Sequence, residues 1–235
     1  FASGALPSTT TTVQSEVGGI GGLIKAGAGV LDLLGRLVNY TGETIVNAGT
    51  LRTTPGAHNG TSSIFVNDSG NLALRIPFDG TTLTTPAVTL GTTGGARISF
   101  ELNAFGNPIA APLATTTLTS IGSNTLAVIG APQPGTFPLI DYAGAIGGAG
   151  FGGLVLQLPL RVAGNLVDNV ANTSVDVSIL GTDTPRWNGN VNGDWDIDDG
   201  SGSGTANWRG AFSGNALRYL QIPLGNDTVI FDDSA

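Results

Sequence analysis

The stretch 19–52, GIGGLIKAGAGVLDLLGRLVNYTGETIVNAGTLR, admits two local readings. Val30, Leu31, Leu34, Leu37 and Val38 fall on one face of a helix of period 3.6. Against that stand Gly18, Gly19, Gly21, Gly22, Gly27, Gly29 and Gly35. Each glycine inside a helix costs about 1 kcal/mol relative to alanine. The other reading is of short strands at 30–34, 44–46 and 50–52, with turns at 39–42 and 47–49. Glycine and asparagine both accept the left-handed backbone of tight corners. The glycine load decides for strands.

The same texture extends outward. Short apolar runs at 63–66, 72–76, 87–90, 97–102 and 125–129 are punctuated by Gly, Pro and Asn, and 97–102 alternates with period two. A second series follows at 154–158, 160–162, 166–167 and 175–180. Upstream, 1–18 is a polar extended arm in which Pro7 opposes a helix and Thr9–Thr12 suits a strand or extended segment. Strands at roughly 8–12-residue spacing predict an all-β chain. Its expected parts are the arm, a region over 19–130 and a β region over 131–235.

The quoted stretch closely resembles the autotransporter-associated β-strand repeat, which reads approximately G-x-L-x-K-x-G-x-G-x-L-x-L followed by N-x-Y-x-G-x-T-x-V-x-x-G-x-L. The matching positions are Gly21, Leu23, Lys25, Gly27, Gly29, Leu31, Leu33, Tyr40, Gly42, Thr44, Val46, Gly49 and Leu51. The chain departs from the family at the doubled Leu33-Leu34 and Leu37-Val38, where the family alternates Thr. The segments 135–142 and 225–233 and the Trp block look like inter-repeat sequence of large surface proteins from planctomycete- and verrucomicrobia-like bacteria. The resemblance implies a right-handed parallel β-helix (solenoid) segment; the expected remainder is mainly β, sandwich-like or an irregular solenoid. A single rung of such a helix cannot bury its faces alone, so rungs must stack.

Composition narrows function by exclusion. The 235 residues include 37 Gly, no Cys, no Met, one His and one Lys, with 11% charged residues and a net charge of -8. Without Cys there is no disulfide, thiolate metal site or thiol nucleophile. Nine basic residues against 17 acidic ones argue against nucleic acid, which needs a basic footprint. No apolar run approaches the ~20 residues of a membrane-spanning helix. Low charge, one Lys and abundant Gly and Thr suit a secreted or cell-surface bacterial protein. The lack of easily oxidised side chains suits an exposed, long-lived material.

Three groups of residues are candidates for function. Trp187, Trp195 and Trp208 lie among Asn and Asp, a combination that stacks on sugar faces and bonds hydroxyls; the alternative is that they pack a small β core. Asn190, Asn192, Asp194, Asp196, Asp198 and Asp199 offer oxygens to calcium, which takes six to eight, but Gly193 falls at the fourth place of the run rather than the sixth. The alternative there is a solvated turn held by Asx bonds. For assembly, the apolar Phe1, Ala2 and Leu6 at one end and Val229, Ile230 and Phe231 at the other supply segments for strand addition between subunits. Lys25 occupies a repeat position and reads as structural, and His58 lies in a turn. No Gly-x-Ser-x-Gly elbow or phosphate-binding loop occurs.

The expectation is a non-enzymatic structural protein of the bacterial exterior, without a resident cofactor. It would pair with itself or belong to a longer parent chain, in a fibre, surface layer or adhesin stalk. A carbohydrate-binding module is the second expectation, and a glycan-active β-helix enzyme the third.

Overall fold

The computed structural model describes residues 9–34, 37–57, 62–77, 80–102, 106–195, 197–222 and 225–232. The chain is all-β: no α-helix occurs among these residues, and the only helical turns are 3-10 turns at Pro55–Ala57 and Phe151–Gly153. It divides into one unit of residues 1–158 with 165–178 and another of 159–164 with 179–235.

In the first unit, one sheet contains β1 (Thr10–Thr12), β4 (Val30–Asp32), β7 (Gly49–Thr53), β9 (Gly70–Ile76), β11 (Arg97–Leu102), β13 (Asn124–Ile129) and β16 (Leu154–Gln157). Every neighbouring pair in it is parallel. A second sheet contains β3 (Leu23–Lys25), β6 (Thr44–Val46), β8 (Ile64–Val66), β10 (Leu83–Leu90), β12 (Leu113–Ser120) and β14 (Gly135–Asp141), also parallel. The short β15 (Gly147–Gly148) pairs with β12 beside β14. Beyond β14 come β18 (Ser174–Thr182) and then β17 (Val162–Asn169). These two are joined by the loop 170–173, too short for a parallel crossover, so they form an antiparallel hairpin. β2 (Val17–Gly19) and β5 (Val38–Tyr40) make a separate parallel pair.

From β3 onward the chain visits the two large sheets alternately, laying each new pass beside the last. Thr10 pairs with Val30, Val30 with Thr50 and Thr50 with Asn71; later Arg97 pairs with Thr125 and Thr125 with Val155. The return length therefore grows from 20 residues to 30.

The alternation of each strand decides what is buried. Leu51, Leu72, Ile98 and Leu126 stand in one column across the first sheet, each no more than 1% exposed. Val46, Val66 and Leu90 form a column in the second. Each such side chain contributes roughly 1.5–3 kcal/mol by leaving water. The outer face of the first sheet carries polar and charged side chains, with the exposed Ile129 and Val155 toward its later strands. Arg75 donates to Asp32 at 2.7 Å, Arg52 donates to Glu101 at 2.9 Å, and Ser99 donates to Asn71 at 2.9 Å. The two arginines are partly exposed, so these pairs set register more than they stabilise.

Several local expectations need adjusting. Residues 39–40 belong to β5, because Tyr40 is buried and its hydroxyl hydrogen-bonds to Thr44 at 2.6 Å; the turn begins at Thr41. Leu160 and Arg161 form a turn before β17 instead of a strand. The Thr-rich β12 and the segment of β14 are strands beyond the apolar runs the sequence marks. Thr10–Thr12 is a strand, paired with β4.

The second unit is built from small pieces. β19 (Pro185–Trp187), β20 (Trp208–Gly210) and β21 (Ala216–Leu217) form an antiparallel sheet, and β22 (Gln221–Ile222) pairs antiparallel with β23 (Gly225–Asn226). Single parallel bridges join Arg186 to Ile230 and Asp198 to Leu220. Arg161 fastens this unit with a two-pronged pair to Asp227, Nε to Oδ1 at 3.1 Å and an η-nitrogen to Oδ2 at 2.9 Å.

Candidate functional site: an aromatic cluster and an open strand edge

The register of β19 against β20 places Trp187 opposite Trp208. Ile230, bridged to Arg186, brings Phe231 alongside. Trp208 is the centre, 1% exposed, with Trp187 edge-on at 5.0 Å, Trp195 at 5.3 Å, Phe231 at 5.6 Å and Tyr219 at 5.8 Å. Tilted and edge-to-face pairs of this kind add about 0.5–1.5 kcal/mol beyond area burial. The three Trp residues of the sequence are thus brought together around Trp208, the most buried large apolar side chain described in this unit. Two members also face solvent: Trp195 is 51% exposed and Phe231 56%, with rings 5.4 Å apart.

Asn207 holds the loop that delivers Trp195. It is fully buried, and its Oδ1 accepts from the backbone of Val191 and Asn192 at 3.0 and 3.1 Å. Its Nδ2 donates to Asn192 Oδ1 and to the Asp194 carbonyl. Neither Asn207 as an organiser nor Tyr219 as a cluster member was legible beforehand; the adjacency of Asn207 to Trp208 was the available signal.

The oxygen-rich loop is occupied with its own backbone. Asn192 Oδ1 accepts from the Asp194 N–H at 3.0 Å. Asp198, 2% exposed, accepts from Gly200 and Gly202 at 2.8 and 2.9 Å and lies 3.9 Å from Arg218. Asp199 accepts from Ser201, whose hydroxyl and N–H hold the carboxyl below the usual carboxylate range. Asn190 is exposed. Asp196 lies outside the described residues, as do Phe1, Ala2, Leu6 and His58. Among the described residues no three acidic or His side chains gather in a group able to hold a metal ion.

At the C-terminal end, Ile230 donates to the Pro185 carbonyl and accepts from Trp187, so one edge of Val229–Phe231 is used within the chain. The N-terminal pass is different. Thr9 and Asp32 carbonyls accept from Val30 and Val13, so in β1 the odd-numbered residues face β4 and the backbone groups of Thr10 and Thr12 turn the other way. The same alternation turns the backbone of Gly18 in β2 and Ile24 in β3 outward. No described strand pairs with these edges. Beside them, Lys25 is buried to 7% exposure, and its ammonium donates to the carbonyls of Ala26, Gly27 and Ala48 at 2.9, 2.6 and 2.9 Å. Burial pushes its pKa down.

No family model matches the chain, and neither a curated protein nor a solved structure matches it.

Proposed function

We propose that the chain is a non-enzymatic structural protein of the bacterial exterior, a subunit of an extracellular fibre, surface layer or adhesin stalk. In this reading the first unit is a parallel β-solenoid and subunits join by strand pairing, either with copies of the chain or within a longer polypeptide. The observation that carries it is the outward-turned backbone of Thr10, Thr12, Gly18 and Ile24 on three neighbouring edges. An unpaired strand edge is a template for another chain. Low charge density leaves little repulsion to oppose close packing.

Negative-stain electron microscopy of the purified chain over a concentration series tests this. Regular filaments or sheets are expected. Thr12→Pro removes an outward N–H without touching the pairing to β4, and should abolish them while the circular dichroism spectrum persists. Single particles at every concentration would overturn pairing between copies of the chain and leave pairing within a longer polypeptide. Grids prepared with EDTA report any part played by calcium.

A second reading, a carbohydrate-binding module built on Trp187, Trp195 and Trp208, is favoured by the solvent-facing pair of Trp195 and Phe231. Trp195→Ala should remove binding on a glycan array and leave the fold intact.

A further inference from the structure

The first unit holds a cavity of about 230 Å³ that neither reading above uses. Its walls are the rings of Tyr142 and Phe151 with the aliphatic side chains of Ile146 and Val170, and Asp168 supplies the one charged group. Tyr142 follows β14, whereas Asp168 lies on β17 and Val170 in the hairpin loop after it, so the hairpin completes the cavity.

Asp168 is the one charged residue of its wall, and it is open to solvent. Asp168 Oδ1 accepts a hydrogen bond from the Tyr142 hydroxyl at 3.3 Å, and no Lys or Arg among the described residues forms an ion pair with it. Burial, and then the Asp168 charge, push the Tyr142 hydroxyl up. The cavity is therefore an aromatic and aliphatic cup with a single carboxylate at its wall.

We propose that this cavity binds a primary alkylammonium group, the chemistry of a lysine side chain or a free aliphatic amine. An alkyl stem fits walls that are apolar, and an ammonium at its tip meets a carboxylate and aromatic faces together. A divalent metal would need six or more oxygens, which the walls do not offer. A guanidinium is matched by a carboxylate with both oxygens free, and one oxygen of Asp168 already accepts from Tyr142. The amine does not come from a second copy: Lys25 is the single lysine, and its ammonium is buried against three carbonyls.

The test uses the whole chain, labelled with 15N, titrated with n-butylammonium, with the peptide acetyl-Gly-Lys-Gly-amide, and with n-butanol as the uncharged isostere. Saturable shifts at the amides of Gly144 and Ala145 are expected with n-butylammonium at millimolar concentration, and not with n-butanol. If the peptide also binds, the natural ligand is a protein-borne lysine; if the amine alone binds, it is a free amine. Asp168→Asn should weaken binding at least fivefold. Val170→Arg, at a position 69% exposed, should abolish it by placing a cation at the mouth. Equal binding of the alcohol, no binding of either amine, or an unchanged affinity in Asp168→Asn with its fold intact would each overturn the assignment.

Discussion

Lys25 pairs in register with Val46, so a charged side chain occupies the column that the following passes fill with Val46, Val66 and Leu90. Its alkyl stem reaches past the column, and the ammonium closes on the corner carbonyls of two passes, Ala26 and Gly27 on one and Ala48 on the next. Lys25→Met keeps the stem and leaves those carbonyls without their donor. A loss of about 1–3 kcal/mol in urea denaturation is expected, the cost of orphaned buried polar groups. A change near zero would mean that water replaces the ammonium.

Gly49 sits below the same corner. Its φ is +68°, and a Cβ there would stand 2.4 Å from the carbonyl oxygens of Gly27 and Gly29. Left-handed backbone and backbone collision add, so Gly49→Ala should cost about 2–4 kcal/mol. Gly21→Ala meets nothing within 4 Å and has no positive φ. It should shift stability by less than about 0.5 kcal/mol. The pair of variants, measured side by side, separates steric demand from mere glycine abundance.

Asp68 ties one corner to the next pass. Its carboxylate accepts from the hydroxyls of Thr92 and Thr93 at 2.6 and 2.8 Å and from the backbone of Thr92 and Gly94 at 2.8 and 3.2 Å. These bonds, that of the Thr92 hydroxyl foremost, hold its pKa far below the ordinary 3.8. A carboxylate depressed in the folded state contributes stability above its unfolded pKa, and loses it as the pH falls through the folded one. Asp68→Asn should therefore be less stable than the native chain at pH 7, and the gap should narrow as the pH drops below 3.8. A gap independent of pH between 7 and 2 would contradict this account.

Asp227 has a side chain 1% exposed and carries the two-pronged pair with Arg161, while also accepting from the Leu220 N–H at 2.8 Å. Asp227→Ala leaves the part-buried Arg161 guanidinium with the Arg218 carbonyl alone and the Leu220 N–H without its acceptor, an expected loss of about 1–3 kcal/mol. All three Trp residues lie in the second unit. Their fluorescence should register the change as an earlier unfolding transition.

Where one physical rule acted alone, the sequence was readable. Residues 97–102 alternate strictly, and β11 spans Arg97–Leu102 without adjustment. The glycine-rich stretch resolved into strands because a helix would carry too many glycines, and Thr44–Val46 appears as expected. β12 is not legible in the sequence because Ala114, Thr115, Thr116 and Thr117 carry no apolar alternation; its pairing to β10 across Leu83–Leu90 supplies what its own residues do not. Pro86 similarly obscured the first half of β10, yet the strand runs through it. At the aromatic cluster the three Trp residues were visible, but Tyr219 and Phe231 join them only through the bridges at Asp198 and Arg186. The cavity at Tyr142 and Asp168 depends on residues 26 positions apart, which no local pattern connects.

The steady return of each strand to its predecessor also bears on how such a chain changes over generations. Removing one residue from a pass would turn its inward leucines and valines to the outside, because side chains alternate along a strand. Removing or duplicating an entire pass, such as the 20 residues 10–29, leaves every other pairing in place. Length in this architecture is inherited in whole increments, and related chains should differ by one or more complete passes far more often than by single insertions within a strand.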